Sequence, residues 1–377
     1  MARSYGGLWP QVVSWPNLIL AYQRCRRRKR YRPDAVRFEF AWEDNLVRLQ
    51  QELVSGEWRP GPYHNFRILD PKPRLISAAP FADRVVHHAV VNVLEPLYER
   101  RFTADSYACR RGQGTHRAWR RAQQYLRQHP YFLKTDVVKF FPNVDHAVLL
   151  AALKRTLRES ALMDLIGRIV ASGEGVLASE ASRHWFPGDD LFSVLRPKGL
   201  PIGNLTSQFF ANVLLDPIDH LVRERWRVPG YVRYADDLVL FGNSKAELWN
   251  WRDALQQALV PLRLKLHPDK TIVAPSDHGL NFLGLRLFPQ GRRLQQGAIR
   301  RFVNRRRALQ RAYQAGEIRG HEIDRSLAAW RAFANDANSK GLCRDLWKQI
   351  IFRGFGRRPR SRPGRQNNRP DHRQAED

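Results

Sequence analysis

The segment GYVRYADDLVLFG, residues 230–242, decides how this chain is interpreted, because two adjacent aspartates interrupt an otherwise apolar run. The β-branched and aromatic residues on either side predict a short hairpin, with Asp236 and Asp237 at or near its turn. Adjacent carboxylates repel each other, and burying them without partners costs on the order of several kcal/mol each. An Asp-Asp pair is common in ordinary turns, but Tyr-Ala-Asp-Asp between two β-like runs is specific enough to indicate a functional site.

A third carboxylate follows a second apolar run, YFLKTDVVKFFPNVDH, residues 131–146. Asp136 lies near the end of the predicted strand Tyr131–Val137, a common position for a metal ligand. Three carboxylates from two neighbouring strands supply the hard oxygen ligands that Mg²⁺ prefers. Two such ions, about 3.5–4 Å apart, stabilise the attacking and leaving oxygens of an in-line phosphoryl transfer. We therefore expect a site for two Mg²⁺ ions, with Mn²⁺ as a substitute.

The composition is strongly basic, since 64 Lys and Arg stand against 36 Asp and Glu among 377 residues, a formal net charge of +28 at pH 7. A surplus this large predicts a polyanionic partner, either nucleic acid or an anionic membrane. No window of about 18 apolar residues is present in the sequence, so we expect no transmembrane helix and favour nucleic acid.

The N-terminus and the cysteines indicate a cytoplasmic location. Residues 1–15 lack the basic start and the long apolar core of a signal peptide. Cys25, Cys109 and Cys343 are isolated, odd in number and without the spacing of a zinc site. We therefore expect reduced thiols and no disulfide framework.

Hydrophobic periodicity alternates between strand-like and helix-like along the middle of the chain. The β-like runs Tyr131–Val137, Tyr231–Tyr234 and Leu238–Phe241 are mixed with amphipathic helices, which predicts an α+β domain with one sheet. The Pro-rich residues 59–80 predict short strands and turns. The predicted helices of this part are Phe38–Leu53 and, approximately, residues 81–102, 144–158, 161–172, 207–226 and 245–260.

Both ends of the chain are rich in arginine. The run Arg24–Arg32 predicts either a phosphate contact or a solvated face, and the basic composition favours the first. Arg-rich helices are predicted from about residue 298, followed by helices around Glu322–Asn335 and Leu342–Phe352. The last 25 residues are poor in apolar side chains and are expected to be disordered.

The blocks around the three aspartates resemble motifs of reverse transcriptases. Tyr-Ala-Asp-Asp at 234–237, preceded by Tyr-Val-Arg, is similar to motif C, and the block 136–141 is similar to motif A. The resemblance covers about residues 15–350 and implies an RNA-directed DNA polymerase, which copies RNA into DNA. Further blocks in the family's order are PKPRLI (71–76), FADRVVHHAVVNVLEPLYERRF (81–102), DSYACRRGQGTH (105–116), GLPIGNLTSQFFANVLLDPIDH (199–220), HPDKT (267–271) and NFLGLRLF (281–288).

Motif B departs from the commonest pattern. Most reverse transcriptases carry Gln-Gly at its start and Ser-Pro at its end, whereas residues 202–208 here are Ile-Gly-Asn-Leu-Thr-Ser-Gln. This variant resembles the enzymes of diversity-generating retroelements, which copy a template RNA with adenine-directed errors. The implied partners are a structured template RNA with its cDNA primer duplex, dNTPs and a small basic accessory protein. Alternatives are a retron, group II intron-like or phage-defence reverse transcriptase, or a catalytically inactive RNA-binding scaffold.

The resemblance assigns roles to individual residues. The metal ligands would be Asp136, Val137, Asp236 and Asp237. The incoming dNTP would be bound by Lys72, Arg74, Arg84, Phe141, Ile202, Gly203, Gln208 and Lys270. The primer grip would be Phe282, Leu283 and Gly284, and the duplex phosphates would contact Arg300, Arg301, Arg305, Arg306 and Arg307.

Several of these assignments have a simpler alternative. Lys72 and Arg74 are alternatively a solvated pair in a loop, and Arg84 alternatively pairs with an acid on its own helix. Phe141 stands where the family places a gate against the ribose 2′-hydroxyl, and core packing is compatible with the same position. Lys270 either protonates or neutralises pyrophosphate, or is a plain surface lysine.

The fold class that the resemblance implies is α+β, in the form of a right-hand polymerase with fingers, a palm of antiparallel sheet plus helices, and a helical thumb. The insertion 173–196 between motifs A and B has no assigned function. The expected bounds are a basic N-terminal extension at 1–35, fingers at 36–130, palm with part of the fingers at 131–290, helical thumb at 291–355 and a disordered basic tail at 356–377.

The basic composition predicts nucleic-acid binding that depends steeply on salt. If six or more phosphates are contacted, affinity for a primer–template duplex should fall about a thousandfold or more between 50 and 200 mM salt, because released counterions drive the association. A fluorescence-anisotropy titration at several salt concentrations measures this slope. An affinity that stays flat over that range would show that the basic surface serves another purpose.

Overall fold

A computed structural model describes residues 4–68 and 73–348 of the chain. It divides into two compact units, Met1–Arg293 and Leu294–Asp377, which are described here one at a time. Among the described residues, no helix has both the length and the apolar character needed to cross a membrane.

The two units are built from helices and short strands. The helices are α1 Trp9–Val12, α2 Trp15–Arg26, α3 Pro33–Phe40, α4 Trp42–Val54, α5 Phe81–Glu99, α6 Thr115–Gln128, α7 Phe140–Asn143, α8 His146–Lys154, α9 Ser160–Ala171, α10 Leu205–His220, α11 Lys245–Leu259, α12 Gln296–Gln314, α13 Gly320–Ala334 and α14 Lys340–Lys348. The strands are β1 His64–Ile68, β2 Arg74–Ala78, β3 Tyr131–Asp136, β4 Gly230–Tyr234, β5 Asp237–Gly242, β6 Ile272–Pro275, β7 Leu280–Phe282, β8 Leu285–Leu287 and β9 Arg292–Leu294.

A four-stranded antiparallel sheet forms the centre of the first unit, with strand order β4-β5-β3-β6. The three predicted strands on either side of the aspartates are all present, and β4 and β5 form the predicted hairpin. The sheet buries apolar residues from its strands, including Phe132, Leu133, Val239 and Leu240. The mixture of helices with antiparallel strands confirms the α+β class.

The prediction of one sheet is wrong, since the described residues contain three. Strands β1 and β2 pair with each other as an antiparallel hairpin, and β7, β8 and β9 form a further sheet. The Pro-rich segment 59–80 gave only a general signal for strands and turns. Their pairing is local, because five-residue and three-residue strands find partners close by in the sequence.

Helices α2, α5 and α10 surround the core on which the sheet rests. Leu18 and Tyr22 of α2 are buried where that helix packs on α5, so part of the basic N-terminal segment belongs to the core. Helices α1, α2 and α6 were not predicted from periodicity. The single helix predicted over Phe38–Leu53 is divided at Ala41, whose φ of −132° and ψ of 52° end α3 and begin α4.

The second unit is helical in its described part. Helices α12, α13 and α14 correspond to the three helices predicted after residue 298, with α14 described only to Lys348. Phe302 stacks on Trp330 with ring centroids 3.7 Å apart, and Trp347 meets Phe302 edge-on at 6.2 Å. These rings give the unit a small aromatic core. The predicted disordered tail at 356–377 lies outside the described residues.

Two glycines of the first unit should respond in opposite ways to a methyl group. At Gly230, the first residue of β4, an added Cβ would lie 2.8 Å from Phe241 Cβ and 2.9 Å from Tyr125 Cδ1. Gly230→Ala should lower the free energy of unfolding by about 1–3 kcal/mol through overpacking. Gly167→Ala is the matched control inside α9, where nothing lies within 4 Å, and it should raise stability by about 0.5–1 kcal/mol. Urea unfolding measures both, and equal midpoints would contradict the packing described here.

Candidate active site

The turn between β4 and β5 places two carboxylates at one edge of the central sheet. Ala235 has a φ of +55°, a left-handed conformation that reverses the chain within two residues. Asp237, the first residue of β5, lies directly opposite Asp136, the last residue of β3. The register therefore brings together the three aspartates that the sequence predicted, on neighbouring strands and around one turn.

Burial and mutual repulsion both disfavour negative charge on the carboxylates at this edge. Burial, followed by the negative charge of Asp237, raises the pKa of the Asp236 carboxyl to about 6, and Asp136 acts in the same direction. The positive charge of Arg74 opposes the shift. The three carboxylates thus lie within electrostatic reach of each other, and the Arg74 guanidinium of strand β2 is close enough to act on them.

Asp136 already has one cationic partner in the chain. Lys270 Nζ donates to Asp136 Oδ2 at 2.7 Å, and the His267 amide donates to the Asp136 carbonyl at 2.8 Å. Lys270 is an exposed lysine whose ammonium is paired with Asp136, and its role toward pyrophosphate remains a prediction. The other carboxylate oxygen, Oδ1, is buried and has no hydrogen-bond partner. Val137, the next residue, is buried and forms an antiparallel bridge with Leu266.

The oxygen ligands of the three aspartates fit a hard divalent cation in their chemistry, although the side chains are not gathered as closely as metal ligands are. Within residues 4–68 and 73–348, no three His, Cys, Asp or Glu side chains are gathered closely enough to hold a metal ion. The carboxylates of Asp136, Asp236 and Asp237 nevertheless supply the oxygen chemistry that Mg²⁺ requires. Oδ1 of Asp136 is buried and has no hydrogen-bond partner, so it is available as a metal ligand.

The cationic residues predicted for the triphosphate separate into three cases. Arg74 begins β2 and is exposed. Lys72 lies outside the described residues. Arg84 forms an ion pair with Asp34 of α3, and its guanidinium lies 5.2 Å above the ring of Phe81. The alternative in which Arg84 pairs with an acid of its own helix is wrong, because α3 brings Asp34 to α5 from a distant part of the sequence.

The loop before α10 lies against strand β2. The Ser77 amide donates to the Ile202 carbonyl at 2.8 Å. Gly203 has a φ of +123°, and a Cβ there would lie 3.0 Å from Ile76 Cγ2, so both the conformation and the close approach require glycine. Ile202 is half-buried and Gln208 is exposed on the first turns of α10. The loop thus packs the start of the motif-B segment against the β1–β2 hairpin, immediately before α10.

Phe141 is part of the short helix α7. Its ring is half-buried, packs against the hydrophobic core and meets Phe140 edge-on at 5.4 Å. The Leu200 amide donates to the Phe141 carbonyl at 2.8 Å. The core-packing alternative therefore describes its contacts, and a role toward the sugar remains a prediction.

A tight turn occupies the predicted primer grip. Phe282 is buried at the end of β7, and the two turn residues Leu283 and Gly284 have φ values of +46° and +87°. Positive φ at both central residues is typical of a type I′ hairpin. Trp119 Nε1 donates to the Phe282 carbonyl at 3.2 Å, so helix α6 anchors the turn.

The five arginines predicted to track duplex phosphates all lie on α12 of the second unit. Arg300, Arg301, Arg305 and Arg307 are exposed, and Arg306 is half-buried. They share a helix whose buried face is formed by Ala298 and Phe302. Their contact with nucleic acid remains a prediction.

A buried arginine beneath the turn was missed by sequence reasoning. Arg233 of β4 is fully buried and forms an ion pair with Asp219 of α10 at 2.6 Å. A signal was available, because a charge within the apolar run 230–242 requires a buried acid as its partner. The identity of that acid depends on how α10 packs, which the local pattern does not contain.

Comparison with known proteins adds the family. Residues 68–287 match the family described as reverse transcriptase (RNA-dependent DNA polymerase). The chain is 27% identical to protein YkfC of Escherichia coli (strain K12) over 281 residues, which are 63% of this chain and 70% of that protein. It is 21% identical to the group II intron-encoded protein LtrA of Lactococcus lactis subsp. cremoris over 295 residues, 64% of this chain and 49% of that protein.

A plant relative covers a smaller part. The chain is 27% identical to nuclear intron maturase 2, mitochondrial, of Arabidopsis thaliana over 166 residues, which are 39% of this chain and 22% of that protein. The chain thus spans about half the length of LtrA and about a fifth of the plant maturase. The family match, by contrast, includes all three aspartates and more than half of the chain. The chain therefore belongs to the reverse transcriptase family, with the right-hand polymerase fold and the RNA-directed DNA polymerase activity that membership implies.

Proposed function

We propose that the protein copies a template RNA into cDNA by two-metal nucleotidyl transfer, as the enzyme of a diversity-generating retroelement. The observation that carries the chemistry is the register of β3 and β5, which sets Asp136 opposite Asp237 and beside Asp236. The subtype rests on the motif-B sequence Ile-Gly-Asn-Leu-Thr-Ser-Gln at 202–208.

Asp136, Asp236 and Asp237, together with Val137, would hold two Mg²⁺ or Mn²⁺ ions. When bound, these ions supply the Lewis acidity that activates a primer 3′-hydroxyl and stabilises the departing pyrophosphate. Because Lys270 Nζ lies on Asp136 Oδ2, a cation at this oxygen competes with the lysine ammonium. A lysine displaced toward the triphosphate would neutralise or protonate the leaving pyrophosphate.

The chain's other residues would bind and orient the nucleotide. Lys72 and Arg74 would grip the triphosphate, since Arg74 already acts on the charge of Asp236. Phe141 would exclude the ribose 2′-hydroxyl by its bulk. Ile202, Gly203 and Gln208 would lie beside the nascent base pair, and Arg84, paired with Asp34, would act in the same pocket only after losing that partner.

The remaining partners follow from charge and from the resemblance. The arginines of α12 would contact the template–primer duplex, and the turn at Leu283 and Gly284 would support the primer strand. A small basic accessory protein is the further partner that the diversity-generating type implies. The fingers, palm and thumb bounds given above, and a cytoplasmic location, belong to the same proposal.

A group II intron-like enzyme is the second candidate, and the similarity to LtrA and to a nuclear intron maturase favours it. Retron and phage-defence enzymes would share the same carboxylate edge, so this edge does not separate them. An inactive RNA-binding scaffold has no need of all three aspartates, which this chain retains. The DNA flanking the gene distinguishes the candidates: near-identical repeats differing at adenines support diversification, and their absence counts against it.

Asp236→Asn should abolish primer extension while leaving the fold intact. The pKa of Asp236 is raised to about 6 because its ionised form is disfavoured, so a neutral amide should keep or raise the thermal midpoint at pH 7.5. The measurement is dNTP incorporation on an RNA template with Mg²⁺, together with a melting curve. Asp164→Asn, an exposed position on α9, is the control and should change neither quantity. Activity of Asp236→Asn within tenfold of wild type would refute the two-metal assignment.

Ile202→Gln should lower the error frequency without abolishing synthesis. A glutamine there can hydrogen-bond near the sugar and base of a correct nucleotide, whereas isoleucine offers only shape and dispersion contacts. One hydrogen bond is worth roughly 0.5–1.5 kcal/mol, so errors should fall about two- to tenfold, most at template adenines if the subtype is right. Sequencing cDNA copied from one defined RNA by both enzymes decides the point. Equal error frequencies would refute the mechanism, and an accurate wild type would also count against the diversity-generating subtype.

A further inference from the structure

The guanidinium of Arg233 is fully buried and makes four hydrogen bonds. Nε and Nη2 donate to the two carboxylate oxygens of Asp219 at 2.7 and 2.6 Å. Nη1 donates to Asn212 Oδ1 at 3.0 Å and to the carbonyl of Ala235 at 3.1 Å. Asp219 and Asn212 both belong to α10, so one side chain joins that helix to the turn that carries Asp236.

A purely structural role explains this arrangement poorly. Replacing a buried ion pair by well-packed apolar residues is often neutral or stabilising, so the pair with Asp219 is weak evidence of a contribution to the fold. Tyr231, two residues earlier on β4, also donates to Asp219 at 2.8 Å. Asp219 thus accepts hydrogen bonds from two side chains, those of Tyr231 and Arg233. The bond from Arg233 to the Ala235 carbonyl is the member of this network that joins the core to the site.

The contact from Arg233 to the Ala235 carbonyl holds the peptide group that joins Ala235 to Asp236. Ala235 has a φ of +55°, in the left-handed region that non-glycine residues rarely adopt. The peptide group is planar, so fixing the Ala235 carbonyl also fixes the direction of the Asp236 amide and Cα. The orientation of one peptide plane therefore sets the position of the Asp236 Cα, from which its carboxylate extends toward the charges of Asp136 and Asp237.

We propose that Arg233 is a positioning residue for the catalytic turn, and that it couples the turn to α10. The proposal rests on the proposed metal-binding role of Asp236. Helix α10 begins with the segment that carries Gln208 and continues to Asn212 and Asp219. Through Arg233, the carboxylates and the helix beside the nascent base pair are held in one arrangement.

The main chain of Arg233 reinforces this position. Its amide donates to the Asp105 carbonyl at 2.8 Å, and its carbonyl accepts from the Tyr107 amide at 2.9 Å. Asp105 is itself paired with Arg223 at 2.8 Å. Strand β4 is therefore fixed on its outer edge by residues 105–107, so the backbone from which the Arg233 side chain extends is itself held in place.

Arg233→Lys is the first test, because an ammonium keeps the charge beside Asp219 but lacks the planar fork needed to reach Asp219 and Ala235 together. Losing a hydrogen bond worth about 1 kcal/mol or more should lower kcat by roughly five- to tenfold. The Mg²⁺ concentration for half-maximal primer extension should rise severalfold, and KM for the primer–template should stay within about twofold, since the substrate surface is untouched.

A paired substitution keeps the test valid if the lysine variant does not fold. Arg233→Met combined with Asp219→Leu removes both buried charges and leaves neither unpaired, so the chain should fold. It lacks the donor to Ala235 and should show the same loss of kcat and the same shift in Mg²⁺ dependence. Tyr231→Phe is the matched control, because it weakens the same network while leaving the Ala235 contact, and it should lower the melting midpoint without changing the Mg²⁺ dependence.

The outcomes separate this proposal from the proposed function. A folded paired variant with wild-type kcat and Mg²⁺ dependence would overturn the positioning role. So would a loss of activity in the Arg233 and Tyr231 variants that simply follows their melting midpoints. Asp236→Asn is assayed in parallel, and activity in that variant would instead overturn the metal-binding role on which the proposal rests.

Discussion

The structure depends on holding three carboxylates together at one sheet edge against their own repulsion. Burial, and after it the charges of the neighbouring acids, raises the pKa of Asp236 by disfavouring its ionised form. Cations of the same chain offset it from two directions, Lys270 by direct contact with Asp136 and Arg74 by its field. Arg233 lies beneath the three carboxylates, but its positive charge is neutralised within the core by Asp219. The site thus consists of three carboxylates and the cations that offset them, held in place by a large apolar core.

The sequence predicted those parts of the fold that depend on local pattern. The hairpin around Asp236, the strand that ends at Asp136 and the helices after residue 298 are all present, because alternation and helical period are read within one segment. Contacts between distant segments were not predictable in this way. The partners of Arg84 and Lys270 lie 50 and 134 residues away, and nothing in the local pattern names them.

Several helices escaped prediction for a related reason. Helix α6 has only a narrow apolar stripe among many arginines, and α2 has a basic end that suggested a solvated extension. Both are helical because their few apolar side chains find a partner surface, α2 on α5 and α6 on β4 of the central sheet. Tertiary burial decided these segments, and intrinsic propensity gave little indication of it.

The pairing of β3 with β5 has an evolutionary consequence. Side chains alternate between the two faces of a strand, so a slip of one residue would move Asp136 away from Asp237 and turn every buried side chain of the strand toward the opposite face. Insertions and deletions within either strand should therefore be purged, whereas a change of length between the helices of the long connection that joins them would leave their register intact. The segment 173–196 lies in that connection. A longer or shorter segment there would have to keep the contacts of Ser182 with Asn143 and of Asp189 with Arg263, but it would not shift Asp136 relative to Asp237.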